Sequence, residues 1–183
     1  MCSGLYLLGQ VTIFGFVTKQ RRKARTAPLT AKEEAAWRAL ARAVHVIPRV
    51  LDAELLESQG LSMTEYNVLM NLSEAPDQSL RIGELANFVS ITVSGLTRVV
   101  DRLSRRGFVE RVRADDDARG QVAVLTPEGL DGLQQAWPTH LAGVRRHVMD
   151  HLEGTDLVAL AEALENIGSA ELGPPVRRTP THR

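Results

Sequence analysis

Five side chains spaced for one helix face carry most of the chemistry in this 183-residue chain: Ser94, Thr97, Arg98, Arg102 and Arg105. Hydroxyls exchange hydrogen bonds with base edges. Guanidinium forks match the O6/N7 edge of guanine or two phosphate oxygens. At about 100° per residue, Ser94, Arg98, Asp101, Arg102 and Arg105 group on one side, with Thr97 and Gly95 at its edges. Val93, Leu96, Val100 and Leu103 fall within roughly 80° on the other side, which predicts a core stripe. Gly95 costs helix stability but lets backbone come close to a partner, and Gly107 predicts the C-terminal stop. Such a helix fits a DNA major groove. The competing reading is an ordinary amphipathic surface helix with solvated arginines.

The flanking elements decide between the two. Upstream, Ser79 to Val89 has apolar spacing at Ile82, Leu85, Ala86 and Val89, which predicts a short helix, and Ser90-Ile91-Thr92 breaks it from the next. Downstream, Phe108–Arg113 and Gln121–Leu125 are β-prone runs around a charged tip, Ala114 to Gly120, which predicts a hairpin. Thr126-Pro127-Glu128 then reads as N-cap, first-position proline and first-turn acid of a new helix. Helix, turn, helix and hairpin in this order make a winged helix-turn-helix. The expected fold class is mainly α with a small β-hairpin wing and a helical dimerisation domain.

The long helices lie outside that unit. Lys32 to Ser58 keeps helical spacing through Trp37, Leu40, Ala41, Val44, Ile47, Leu51 and Leu55, with Pro48 expected to bend it and Gly60 to end it. Ser62-Met63-Thr64-Glu65 is a capping box opening a helix to about Leu72, with Tyr66, Leu69 and Met70 inward. Pro127 to about Leu152 predicts another long helix, and Thr155 or Asp156 caps a last one bearing Leu157, Leu160, Ala161, Leu164 and Ile167. One small winged unit cannot bury these helices, so two intertwined chains are expected.

The runs LSMTEYNVLMNL, LRIGELANFV, SGLTRVVDRLSRRGFVERV and DDDARGQVAVLTPEG resemble the MarR family of bacterial transcriptional regulators over roughly residues 33 to 168. The actinobacterial branch is especially similar, including Pro138-Thr-His-Leu and Gly143-Val-Arg in the following helix. The resemblance implies an obligate homodimer that binds a pseudo-palindromic operator in double-stranded DNA, and in many members a small-molecule effector held between two domains. Carried over by position, it puts recognition-helix contacts on Ser94, Thr97 and Arg98 and phosphate contacts on Arg102, Arg105 and Arg81. Thr92, Gly95 and Arg113 complete the DNA-facing set. In the wing, Asp117 braces Arg119, which enters the minor groove. Ala118 stands where many members have a second cation.

These readings divide the chain into an extension at 1–31, a dimerisation helix at 32–60, a DNA-binding domain at 61–126, dimerisation helices at 127–170 and a disordered tail at 171–183. Charge supports the division. The chain has 22 basic and 22 acidic residues, but five of the basic ones sit between Lys19 and Arg25 and three follow Gly173, so the body is acidic. Arg81 to Arg113 reverses this, with seven arginines against Glu84, Asp101 and Glu110. A basic patch on an acidic body steers DNA to one surface.

Met1 to Thr18 is apolar and uncharged. It is short for a span, and its basic cluster follows the apolar run, the wrong order for a signal peptide. It is expected to lie outside the fold, a membrane tether being the alternative. Cys2 is the single cysteine, so an intrachain disulfide is excluded and a cytoplasmic location fits.

Other chemistry is thinly represented. G-x-S-x-G, Walker and H-E-x-x-H motifs are missing, which argues against an enzyme, and no cofactor is implied. Asp115, Asp116 and Asp117 read as a solvated turn. His140, His147 and His151 lie within about 40° on one predicted helix face, which offers a metal-responsive alternative. Trp37, His45, Tyr66 and Trp137 are the expected lining of an effector pocket, pockets being mostly apolar.

Overall fold

The computed structural model describes residues 27–114 and 117–172, the side chains of 114–120 and 168–172 excepted. The extension before residue 27, with Cys2, and the tail after residue 172 lie outside the described residues. Helix α1 spans Ala31–Gln59 and opens on a capping box: Thr30 accepts from the Glu33 N–H while Glu33 reaches back to the Thr30 N–H at 2.8 Å. Gly60 ends it in the left-handed region at φ 61°. Helix α2, Met63–Glu74, opens on the expected box of Ser62 and Glu65. Strand β1 (Ser79–Arg81) and helix α3 (Ile82–Phe88) follow. Ser90, at φ 57°, makes the turn into α4, Val93–Arg105.

Strands β2 (Val109–Ala114) and β3 (Asp117–Leu125) form the hairpin, and β1 pairs with the far side of β3, giving the antiparallel order β1-β3-β2. Helix α5 spans Pro127–His147, a 3-10 segment covers Met149–Leu152, and α6 spans Leu157–Leu172. Asp156 caps α6, its carboxylate accepting from the Val158 and Ala159 N–H groups at 3.0 and 3.1 Å. Both internal prolines stay within helices: α1 continues through Pro48 and α5 through Pro138.

Four expectations need correction. Ser79–Arg81 is a strand rather than the start of a helix, because its backbone pairs with Val122–Val124 of β3. The charged tip is shorter than seven residues, because Asp117 already pairs with Ala114. Val93 is not part of the core stripe; it is 55% exposed, and Val99 takes its place with Leu96, Val100 and Leu103. The first turn of α4 overhangs the core, which a helical wheel cannot register. Helix α5 stops at His147, before the predicted Leu152.

The core sits where the C-terminal end of α1, α2, α3, α4, the base of the sheet and the middle of α5 meet: Leu55, Tyr66, Leu69, Leu85, Leu96, Leu103, Val109, Ala123, Leu125 and Ala136 are its interior. Of the α1 stripe only Leu51 and Leu55 are buried. Trp37 and Val44 remain exposed, and so do Leu157, Val158, Leu164 and Ile167 of α6.

Glycines set two close approaches. A Cβ on Gly129 would lie 2.1 Å from the Phe108 carbonyl oxygen, so only glycine lets the first turn of α5 press on the base of the hairpin. Thr126 completes this joint by donating to the Gly107 carbonyl at 2.7 Å and accepting from the Gly129 N–H at 3.0 Å. Gly143 lets α5 lie against Leu51 and Glu54 of α1, each 2.8 Å from where a Cβ would be.

Candidate nucleic-acid interface

Helix α4 is held by its buried face and presents the other. Thr92 caps it by accepting from the Gly95 N–H at 3.1 Å. That hydroxyl lies 3.1 Å from where a Gly95 Cβ would be, so glycine also has a local reason there. Ser94 and Arg98 are exposed, and Thr97 is half-buried at the edge of the face. The Thr97 hydroxyl donates to the Val93 carbonyl at 2.9 Å, which leaves its lone pairs to accept. Among the described residues the Arg98 guanidinium has no hydrogen-bond or carboxylate partner. Arg81 and Thr97 line one groove of about 620 Å³ with Val93, Asn87 and Gln121, so the end of β1 and the recognition face are brought together. Arg113, on β2, is exposed. Asp117 and Arg119 fall in β3, but their side chains lie outside the described residues.

The other arginines have structural partners. Arg102, expected to face phosphate, donates from Nε to Glu65 Oε1 at 2.9 Å while its side chain stays 47% exposed. Glu65 is buried, and its second oxygen accepts from the Ser62 N–H and hydroxyl, both at 2.9 Å. Burial pushes this carboxyl up, yet the Ser62 backbone and Arg102 bonds outweigh it and hold it below the ordinary value of 4.5. Arg105 Nε donates to the Asp101 carbonyl at 3.2 Å, and Arg106 Nη1 to the Gly60 carbonyl at 2.8 Å. Arg111, to which the sequence assigns no role, joins Asp101 of α4 to Gln121 of β3. The helix and wing are thereby fixed to each other, and α4 is fixed to α2 through Glu65.

The two side constellations do not assemble. His140 is half-buried and its ring packs on Tyr66 with ring centroids 4.5 Å apart. His147 meets Glu54 Oε1 at 2.7 Å, and Arg146 meets the same oxygen at 2.7 Å. His151 lies beyond the end of α5. Among the described residues no group of three metal-ligating side chains forms. Of the four expected pocket residues, Trp37 lines a cleft with Pro28, Leu29, Glu34 and Arg38, and His45 is exposed mid-way along α1. Only Tyr66 and Trp137 share a neighbour, His140, Trp137 lying 6.4 Å from it by ring centroids.

The whole arrangement is close to that of Sco3205, a MarR family transcriptional regulator from Streptomyces coelicolor solved in complex with DNA. The TM-score is 0.75 and the identity 34%, over 80% of this chain and 92% of that one. The chain belongs to the MarR family. AbsC, a MarR family regulator from the same organism, matches at TM-score 0.72 and 34% identity over 79% of this chain and 97% of its own. The MarR family model matches residues 61–120 of this MarR-family protein, the span from α2 into the wing. The HTH-type transcriptional repressor YetL of Bacillus subtilis is 36% identical over 86 residues, 47% of this chain and 52% of that protein. Transcriptional repressor MprA of Escherichia coli is 29% identical over 85 residues, 46% of this chain and 48% of its own. The chain thus spans about half the length of these curated relatives. A family of transcriptional regulators agrees with the expectation that the chain is not an enzyme.

Proposed function

We propose that this protein is a sequence-specific DNA-binding transcriptional regulator that works as a homodimer and represses until a small effector releases it. The observation that carries the reading is the exposed face of α4, where Arg98 stands without a protein partner beside Ser94 and Thr97. Base contacts are assigned to Ser94, Thr97 and Arg98, and Arg81, Thr92, Arg105 and Arg113 face the backbone. Asp117 and Arg119 belong to the wing by analogy with the family. Sco3205, which shares this fold, was solved in complex with DNA, and this supports a DNA partner here.

The exposed apolar faces of α1 and α6 support dimerisation through 32–60 and 127–170, with 61–126 as the reading unit. An effector would be met near Tyr66, His140 and Trp137, where Tyr66 Oη and His140 Nδ1 are buried without a protein partner among the described residues. No helix among the described residues is long and apolar enough to cross a membrane. The reading places the protein in the cytoplasm, where its DNA is.

Selection of bound sites from random duplexes by the full chain tests this directly. A palindrome with half-site centres about one helical turn apart is expected. Arg98→Ala should weaken binding to the selected site by about 1–3 kcal/mol with little effect on random DNA. Equal operator binding by wild type and Arg98→Ala would remove the groove assignment.

A further inference from the structure

The C-terminal end of α4 carries a second basic feature, apart from its base-facing end. Arg102, Arg105 and Arg106 line a cleft of about 410 Å³ with Glu65 and Gly60. Each guanidinium is partly engaged by protein: Arg102 by Glu65 at Nε and by the Arg98 carbonyl at Nη1 (3.5 Å), Arg105 by the Asp101 carbonyl, and Arg106 by the Gly60 carbonyl. A guanidinium has five N–H donors. Among the described residues, the Nη groups of Arg105 and Nη2 of both Arg102 and Arg106 meet no protein acceptor. Glu65 supplies one negative charge against three positive, and both its oxygens are already engaged. These bonds also hold each guanidinium in place, so the remaining donors are preorganised.

We propose that this cleft seats one phosphate group, held by Arg102, Arg105 and Arg106. A carboxylate matches a single fork with its two oxygens, whereas a tetrahedral phosphate has oxygens for several forks at once. Two sources share this chemistry. One is a phosphodiester of bound DNA, since Arg105 is seven residues, or about 10 Å, along the helix axis from Arg98. The other is free phosphate. The first rests on the DNA-binding reading above; the second does not.

The test titrates inorganic phosphate into the full chain without DNA, at ionic strength held constant with chloride, by calorimetry and by the arginine side-chain N–H resonances. Saturable binding is expected, weakened about tenfold in Arg105→Gln, as loss of a charge-assisted hydrogen bond implies. Arg106→Lys, which keeps the charge and removes the fork, should weaken it too. Unchanged thermal unfolding of Arg105→Gln separates this from misfolding. If a saturating selected duplex abolishes phosphate binding, the DNA backbone is the occupant. If phosphate binds equally with duplex present, a free anion is. No saturable binding by wild type, or equal binding by Arg105→Gln, overturns the proposal. Because no DNA enters the first titration, its failure leaves the DNA-binding reading standing, and a failed site selection leaves the cleft standing.

Discussion

Glu65 shows how much one side chain can organise. Its carboxylate closes the first turn of α2 through Ser62 and ties down α4 through Arg102. Because those bonds hold the folded carboxyl below its ordinary 4.5, the stability they contribute is fully present above that pH. It is lost as pH falls through the lower folded value. Glu65→Gln should therefore flatten the loss of unfolding free energy on acidification below about pH 5, measured by urea titration at successive pH values.

His140 gives the same sign by another route. Desolvation of the half-buried ring holds it below 6.5, so on acidification the unfolded chain takes up the proton before the folded chain does. Its contribution is intact above pH 6.5 and is lost as pH falls through the depressed folded value. His140→Phe, which keeps a ring against Tyr66, should remove that loss in the same series of titrations. The Tyr66 hydroxyl, pushed up to about 12 by burial and then by the Glu74 charge, stays protonated throughout.

At the scale of elements, the joint between hairpin and α5 is the least forgiving. Gly129→Ala puts a Cβ into the Phe108 carbonyl, and backbone cannot swing aside as a side-chain tip can. A destabilisation of about 1–3 kcal/mol or more is expected, read from the urea midpoint. Gly143→Ala should cost less, since its neighbours are the ends of Leu51 and Glu54.

What the sequence disclosed here was whatever is written locally. The Ser62 and Thr126 caps, the Gly60 stop and the wing strands are encoded within a few residues of where they act. Strand β1 was hidden because three residues show no period and their partner β3 lies about forty residues downstream. The Arg102–Glu65 pair was hidden for the same reason, its members standing 37 residues apart. Asp101 carried a misleading signal: it falls on the arginine face, yet it serves to hold Arg111 of the wing. The anion-facing role of Arg106 had no local sign, since it depends on the fold bringing Gly60 to it.

The molecule as a whole is unfinished as a single chain. Ile167 is 63% exposed, and Trp37 is 60% exposed. Large apolar side chains gathered on two helices mark an interface. Ile167→Lys should lower the sedimentation coefficient toward that of a monomer and reduce operator affinity in parallel. It should leave the unfolding of the winged unit largely intact, because α6 contributes nothing to the buried core among the described residues.

The Phe108–Gly129 contact makes the hairpin a lever. Strand β3 runs nine residues from Asp117 to Leu125, an arm of roughly 30 Å at about 3.3 Å per residue. Its fulcrum is the first turn of α5, a helix whose other end lies against α1. A rotation of α5 by about 5° would carry the far end of such an arm through roughly 2.6 Å, comparable to a hydrogen-bond length. Because Arg111 ties that strand to Asp101 of α4, such a rotation is expected to carry wing and helix together rather than the wing alone.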